Sequence, residues 1–254
     1  MKAEEIQARR QAITKLLYQK NEVRINELVN QFQVSDETIR KDLKYLASEG
    51  ILEKRYGVAK LIQAKPLEPV VNRTPINYAN KSKLVQAAAK LIPKGRCSIG
   101  LDQGSTAALL ANHLKTHDNK HIFTGSLAAI LELIHSKNTV YCVGGRYSEA
   151  DMSFQNDTAN QLYDDVKYDL CFLGSSGVLG RDGFCTSSLV DAEIKRQLIA
   201  KSTRTIILLD SQKFNYSSLV QVAKWQAADI VITNQDIPAD ARRLIEAKTR
   251  LILV

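Results

Sequence analysis

Two sets of residues in this chain have types and spacings suited to chemistry. The first is the run 34–46, VSDETIRKDLKYL. Read as a helix from Asp36, it places Ile39, Leu43 and Leu46 on one face at the i, i+4, i+7 spacing of a core-facing stripe. Ser35 stands at the N-cap, and Asp36 and Glu37 occupy the first turn, where carboxylates suit the helix dipole. The opposite face carries Glu37, Arg40, Lys41, Lys44 and Tyr45. An apolar anchor beneath a cationic, hydrogen-bonding face suits a helix that lies in a DNA major groove and meets phosphates and base edges. A solvated surface helix carries the same kind of face, so the flanking segments must decide.

The second set is a series of short polar loops, each following an apolar run: Asp102-Gln103-Gly104-Ser105-Thr106, Thr124-Gly125-Ser126, Gly144-Gly145-Arg146, Gly174-Ser175-Ser176-Gly177 and Asp210-Ser211-Gln212-Lys213-Phe214. Small residues let backbone N–H groups approach an anion, hydroxyls add donors, and a helix N-terminus adds positive dipole. One such loop is usually punctuation. Several at one edge of a sheet make a credible phosphate cradle.

The elements around the first set fit a winged helix-turn-helix. Residues 4–20 carry Ile6, Ile13, Leu16 and Leu17 at helical spacing, and Val23-Arg24-Ile25 reads as a short extended piece. A second helix is expected over 26–32, a turn over 33–35, and an end to the 36–46 helix at Gly50. Residues 51–61 alternate around Gly57, as a hairpin does, which would bring Lys54, Arg55 and Lys60 to flanking phosphates. These segments define a DNA-binding domain over 1–62. Residues 63–80 hold Pro66, Pro69 and Pro75 and read as a semi-rigid linker.

From Lys81 to Val254 the texture changes to a third region. Apolar strands are expected at 97–101, 121–123, 140–143, 170–173, 205–209, 230–233 and 251–254. Helical patterns cover 83–92, 106–114, 127–135, 189–200 and 239–247. Alternation of this kind indicates a mostly parallel α/β sheet covered on both faces, with ligands beyond the carboxyl ends of its strands.

The totals constrain function less. The formal net charge is +8, and residues 1–60 hold 12 basic against 9 acidic side chains, so the excess is not confined to the N-terminal part. The opening residues lack the apolar stretch of a signal peptide, and no apolar run reaches membrane-spanning length. Cys97, Cys142, Cys171 and Cys185 show no CxxC spacing, which fits reduced thiols, no metal site and a cytoplasmic location.

At residue level the run VSDETIRKDLKYLASEGILEKRYG resembles the N-terminal signature of DeoR-type bacterial repressors. The matching residues are Val34, Ser35, Thr38, Ile39, Arg40, Lys41, Asp42, Leu43, Leu46, Gly50, Leu52, Arg55 and Gly57. Val58 departs from it, standing where a second wing glycine is usual. The resemblance implies that Thr38, Arg40 and Lys41 contact DNA and that Asp42 braces the domain. D-x-G-S-T, T-x-S, G-G, F-L-G-x-x-G, the A-x-x-K-R of 192–196 and the D-x-x-K-F of 210–214 are similar to the sensor half of the same family, itself related to ribose-5-phosphate isomerase. This implies that Asp102, Gly104, Ser105, Thr106, Thr124 and Ser126 hold a phosphorylated sugar, with Lys81, Lys195 and Lys213 as charge partners. Gly125 departs from a usual Asn, and Asn156 from a usual Gly.

The related isomerases carry an acidic D-G-A-D-E motif after a central strand. Here the corresponding stretch is Leu173-Gly174-Ser175-Ser176-Gly177, without a carboxylate. The expectation is therefore a non-enzymatic repressor without a cofactor. It would bind double-stranded operator DNA, respond to a phosphorylated sugar or polyol, and form a homo-oligomer, dimer or tetramer. The alternative is a sugar-phosphate isomerase with an accessory DNA-binding domain.

Overall fold

A computed structural model of the chain describes residues 5–6, 9–10, 12–13, 16–17, 22–48, 52–55, 57–61, 70–149, 151–155 and 165–254. It divides into two compact units, Met1–Pro66 and Leu67–Val254.

In the first unit a strand, β1 (Glu22–Arg24), leads into the helix Ile25–Phe32. The extended piece expected over 23–25 is thus one residue shorter at its end, because Ile25 is buried and already helical. Gln33 adopts a left-handed conformation (φ 52°) and turns the chain into the helix Asp36–Ser48. Strands β2 (Leu52–Arg55) and β3 (Val58–Leu61) form the expected hairpin, with Gly57 at φ +80°, a conformation costly for other residues. β1 joins them, giving an antiparallel sheet of order β1-β3-β2. Ile13, Leu17, Leu28, Ile39, Leu43, Leu46, Leu52 and Ala59 form one core. Gly50 and the stretch 62–69 lie outside the described residues. Residues 70–80, read as the end of a linker, are structured: Val70 is fully buried, Val70–Arg73 is a helical turn, and a helix runs over Tyr78–Ala89.

The second unit is built on a seven-stranded parallel sheet. Its strands are β4 (Cys97–Leu101), β5 (Asp118–Thr124), β6 (Lys137–Cys142), β9 (Leu170–Gly174), β11 (Thr205–Leu209), β13 (Ile230–Thr233) and β14 (Arg250–Leu253), in the order β14-β13-β11-β9-β4-β5-β6. Every residue of β11 is buried. Ile206 and Leu208 face one apolar cluster and Ile207 and Leu209 the other, which is why this strand reads as an unbroken apolar run. Helices Ser105–Leu114, Leu127–Glu132, Leu189–Ala200 and Ala239–Glu246 fall where the periodicity puts them, within a few residues.

Two small antiparallel ribbons escape the sequence pattern. They pair β7 (Arg146–Ser148) with β8 (Ser153–Gln155), and β10 (Gly183–Thr186) with β12 (Val220–Lys224). The chain runs outward from β4 to β6, then returns to place β9 on the other side of β4. The topological switch point therefore lies between the carboxyl ends of β4 and β9. Among the described residues no helix is long and apolar enough to cross a membrane.

One buried carboxylate holds the first unit together. Asp42, 2% exposed, accepts from Arg9 Nε at 2.6 Å and from Arg10 Nε at 2.9 Å, tying two N-terminal residues to the Asp36–Ser48 helix. Removing one member of a buried ion pair leaves uncompensated charge and costs about 3 kcal/mol. Asp42→Ala is expected to raise amide hydrogen exchange along this helix by a corresponding factor. Unchanged exchange would show that the clamp is dispensable.

Candidate functional site

The DNA-facing candidates lie on one helix and its hairpin. Ser35 Oγ accepts from the Thr38 N–H at 3.2 Å and lies 2.9 Å from the Thr38 hydroxyl, so the helix is capped as its sequence suggests. Ile39, Leu43 and Leu46 are buried, leaving Glu37, Arg40, Lys41, Lys44 and Tyr45 exposed. Arg40 pairs with Asp36, and Lys41 Nζ with Glu37 Oε1 at 2.8 Å, each across one helical turn. The hydrogen bond from Lys41, reinforced by its charge, holds the Glu37 carboxyl below its ordinary range. Tyr45 carries the Arg10 guanidinium 3.8 Å from its ring centroid. On the hairpin, Lys60 is exposed, and Lys54 Nζ donates to the Arg40 carbonyl at 3.3 Å, docking the wing on the helix. The Arg55 side chain lies outside the described residues.

In the second unit a polar pocket opens at the switch point. Its floor is a buried charge network. Lys195 Nζ lies 2.5 Å from Asp102 Oδ1 and 3.1 Å from Asp191 Oδ1. The other Asp102 oxygen accepts from the Gly174 N–H at 2.8 Å, bridging the ends of β4 and β9. Asp191 also accepts from Gln103 Nε2 at 2.6 Å and from the Thr186 hydroxyl. Burial alone would push the Lys195 ammonium down in pKa, but Asp102 and Asp191 outweigh it and the net shift is upward. Burial likewise opposes ionisation of Asp191, while Lys195, Thr186 and Gln103 together hold it below its ordinary value.

Above this floor sits the N-terminus of helix Ser105–Leu114. Gly104 occupies its N-cap and offers no side-chain acceptor to the first-turn N–H groups. Lys81, 4% exposed, donates to Ser105 Oγ at 3.0 Å and to the Arg73 carbonyl at 2.6 Å. Burial lowers its pKa to about 8, a shift that Asp210 resists and that Lys213 and Arg73 assist. Gly104, Ser105, Thr106, Asp210 and Lys213 line the same pocket. Asp210 also caps the turn Ser211–Asn215 through Gln212 N–H, and Lys213 Nζ donates to the Tyr216 hydroxyl at 2.7 Å.

Gly174, Ser175 and Ser176 line this pocket as well, whereas the Thr124–Ser126 and Gly144–Arg146 loops do not join it. Thr124 Oγ1 accepts from Ser126 N–H at 3.0 Å and Ser126 Oγ from Ala129 N–H at 3.1 Å, so both hydroxyls order their own turn. Thr124 and Gly125 line a separate, mostly apolar cavity with Phe123, Phe154 and Tyr168, which shares Asp102 and Gln103 as a wall. Gly144, Gly145 and Arg146 line neither space; Gly145 has φ +138° and Arg146 opens β7. The reason for the split is β8, whose Phe154 N–H donates to the Gly125 carbonyl at 2.7 Å and closes the loop against the ribbon. Asn156 lies outside the described residues.

Arg73, Asp151, Thr186, Ser187, Ser188 and Asp191 line the polar pocket without having been singled out from the sequence. Asp191 had a visible signal, its i, i+4 spacing to Lys195. Ser188 had another, as the N-cap of Leu189–Ala200. Arg73 sits 3.7 Å from Asp151 in a stretch whose prolines masked its role.

Comparison with known proteins matches residues 9–65 to the DeoR-like helix-turn-helix domain and residues 76–235 to the DeoR C-terminal sensor domain. The chain is 31% identical to the transcriptional repressor AccR of Agrobacterium fabrum, over 90% of this chain and 89% of that one. It is 27% identical to the glycerol-3-phosphate regulon repressor of Haemophilus influenzae, over 96% of each. Ribose 5-phosphate isomerase A from Methanocaldococcus jannaschii is 18% identical over 54% of both chains, with a TM-score of 0.40.

A Cβ on Gly125 would meet the Phe154 carbonyl oxygen at 2.8 Å, a backbone atom that cannot swing away. Gly125→Ala is expected to destabilise the second unit by about 1–3 kcal/mol as an overpacking change. Thermal unfolding followed by tryptophan fluorescence reads this directly, since Trp225 lies in that unit's core. An unshifted transition would mean that β8 can withdraw without cost.

Proposed function

This chain belongs to the DeoR family of transcriptional regulators, and we propose that its polar pocket takes a phosphorylated sugar or polyol whose binding changes the affinity of the Asp36–Ser48 helix for operator DNA. The observation that carries this reading is the position of Lys81. Its buried ammonium lies beside Ser105 at a helix N-terminus that lacks a side-chain cap. Arg73 and Lys213 line the same pocket. Converging cations, hydroxyls and unfilled N–H groups suit a phosphate.

The same geometry favours binding over turnover. A general base needs a carboxylate free to reach substrate protons. Asp102 is held by Lys195 and Gly174, Asp191 by Lys195, Gln103 and Thr186, and Asp210 by Gln212 and Asn77. Asp151 accepts from Gln155 Nε2 at 3.2 Å beside Arg73. The reading is thus a repressor of a carbohydrate-utilisation operon whose DNA affinity is controlled by its effector. A symmetric dimer or tetramer would match paired half-sites. Any release requires the effector to bind the free protein more tightly than the DNA-bound one, by the same factor through which it weakens DNA affinity.

The pKa of Lys81 gives this reading a pH signature. Between about pH 8 and the ordinary lysine value of 10.5, the unfolded chain keeps a proton that the folded chain has lost. The stability of the unliganded sensor therefore rises with pH across that window. Affinity for an anion runs the other way, level below about pH 8 and weaker above it as the ammonium discharges. Calorimetric titration with a panel of sugar and polyol phosphates at pH 7 and 9 measures this, with Lys81→Met expected to bind weakly and without the pH dependence. Failure of every phosphorylated sugar or polyol to bind would sink the proposal, and turnover of any of them would favour the isomerase alternative.

The DNA half has its own measurement. Arg40→Ala combined with Lys41→Ala should weaken operator binding and reduce the slope of log affinity against log salt by about two. An unchanged slope would remove this helix as the phosphate-contacting element.

A further inference from the structure

Glu37 and Lys41 hold their charged ends together on the most exposed part of the Asp36–Ser48 helix, with side chains 77% and 72% exposed. A pair so open to water contributes little to stability, so folding does not explain it. It is also an unusual feature for a face turned toward DNA, because a carboxylate in a field of phosphates is repelled unless it finds a donor. The hydrogen bond from Lys41 keeps Glu37 ionised, so it can only accept. In the major groove the base-edge donors are the N4 amine of cytosine and the N6 amine of adenine.

The partner charge separates these two. Next to the cytosine amine, guanine presents O6 and N7, two adjacent acceptors for an ammonium. Next to the adenine amine the acceptors are split, adenine N7 on one side and thymine O4, beside an apolar methyl group, on the other, so no two adjacent acceptors face an ammonium. An acceptor and a donor 2.8 Å apart, Glu37 Oε1 and Lys41 Nζ, thus form an edge complementary to a C·G pair. Glu37 is the second residue of its helix, in the N-terminal turn that meets base edges when such a helix lies in the major groove. The neighbouring Asp36–Arg40 pair is less suited. It is less exposed, at 49% and 60%, and the guanidinium reaches both carboxylate oxygens, consuming their acceptor capacity internally.

We propose that Glu37 and Lys41 act as one composite reader of a single C·G base pair per bound helix, Glu37 accepting from the cytosine amine and Lys41 donating to guanine O6 and N7. This rests on the reading of the Asp36–Ser48 helix as the DNA reader. Glu37 is thereby a specificity residue rather than a source of affinity, and the ion pair orients the ammonium before DNA arrives.

The test is selection of duplexes from a randomised pool by the full-length protein, by Glu37→Gln and by Lys41→Ala, followed by titration of single-position variants of the selected sequence. The wild type should enrich C·G at one position per helix and lose roughly tenfold or more in affinity when that pair becomes T·A. Glu37→Gln, which donates as well as accepts, should discriminate less than about threefold there and keep every other preference. Lys41→Ala should lose the same position and flatten the salt dependence by about one charge. If Glu37→Gln instead binds all duplexes more tightly with its preferences intact, Glu37 is only a repulsive surface charge and the composite reader is overturned. If the wild type enriches no sequence at all, the underlying assignment of this helix to DNA reading fails, an outcome separate from the first.

Discussion

The second unit depends on where Asp102 spends its two carboxylate oxygens. One takes the Lys195 ammonium and the other the Gly174 N–H. Through these contacts the end of β4 is fixed to the end of β9 and to the helix that follows β10. That is the switch point of the sheet, where the connections after two parallel strands lead off to opposite sides and a crevice must open. A buried ion network of this kind is weak ground for claiming stability, because desolvation cancels much of the attraction. Its contribution is geometric. It leaves one arrangement of three loops in which every buried charge is answered, and the pocket is the space those loops enclose.

The first unit solves a related problem with the charges reversed. Asp42 is buried between Arg9 and Arg10, so the helix that faces outward with cations is anchored inward by an anion. The two sides of that helix then have separate duties. Ile39, Leu43 and Leu46 bind it to the core, and the opposite face is exposed, with Tyr45 carrying the Arg10 guanidinium at its edge. The cap supplied by Ser35 and the docking of Lys54 on the Arg40 carbonyl fix where that face begins and how the wing lies beside it.

Much of this was legible in the sequence because the signals are local. A 3.6-residue stripe with a serine cap specifies the Asp36–Ser48 helix, and unbroken apolar runs such as Thr205–Leu209 specify strands covered on both faces. The wing and its Gly57 turn follow from alternation. What stayed hidden was non-local or short. The ribbons of β7 with β8 and β10 with β12 hold three to five residues per strand, too few for a period to show. Arg73 lies among prolines that suggest a connection, and only the fold brings it beside Asp151. The cradle itself was half visible. Sequence identified loops after five of the seven strands, but could not say that the close approach of Phe154 to Gly125 would turn the Thr124–Ser126 turn into an adjoining, apolar space.

The separations along the chain have a kinetic consequence. Asp42 meets Arg9 across 33 residues, whereas Asp102 meets Lys195 across 93 and Asn77 meets Asp210 across 133. Contacts that close longer loops form later, and chains emerge from synthesis N-terminus first. The helical unit can be complete while β9, β11 and the Lys195 helix are still being made. The second unit's pocket cannot exist until Lys195 is in place. A newly made molecule therefore completes its helix-turn-helix unit before the pocket of its sensor unit exists.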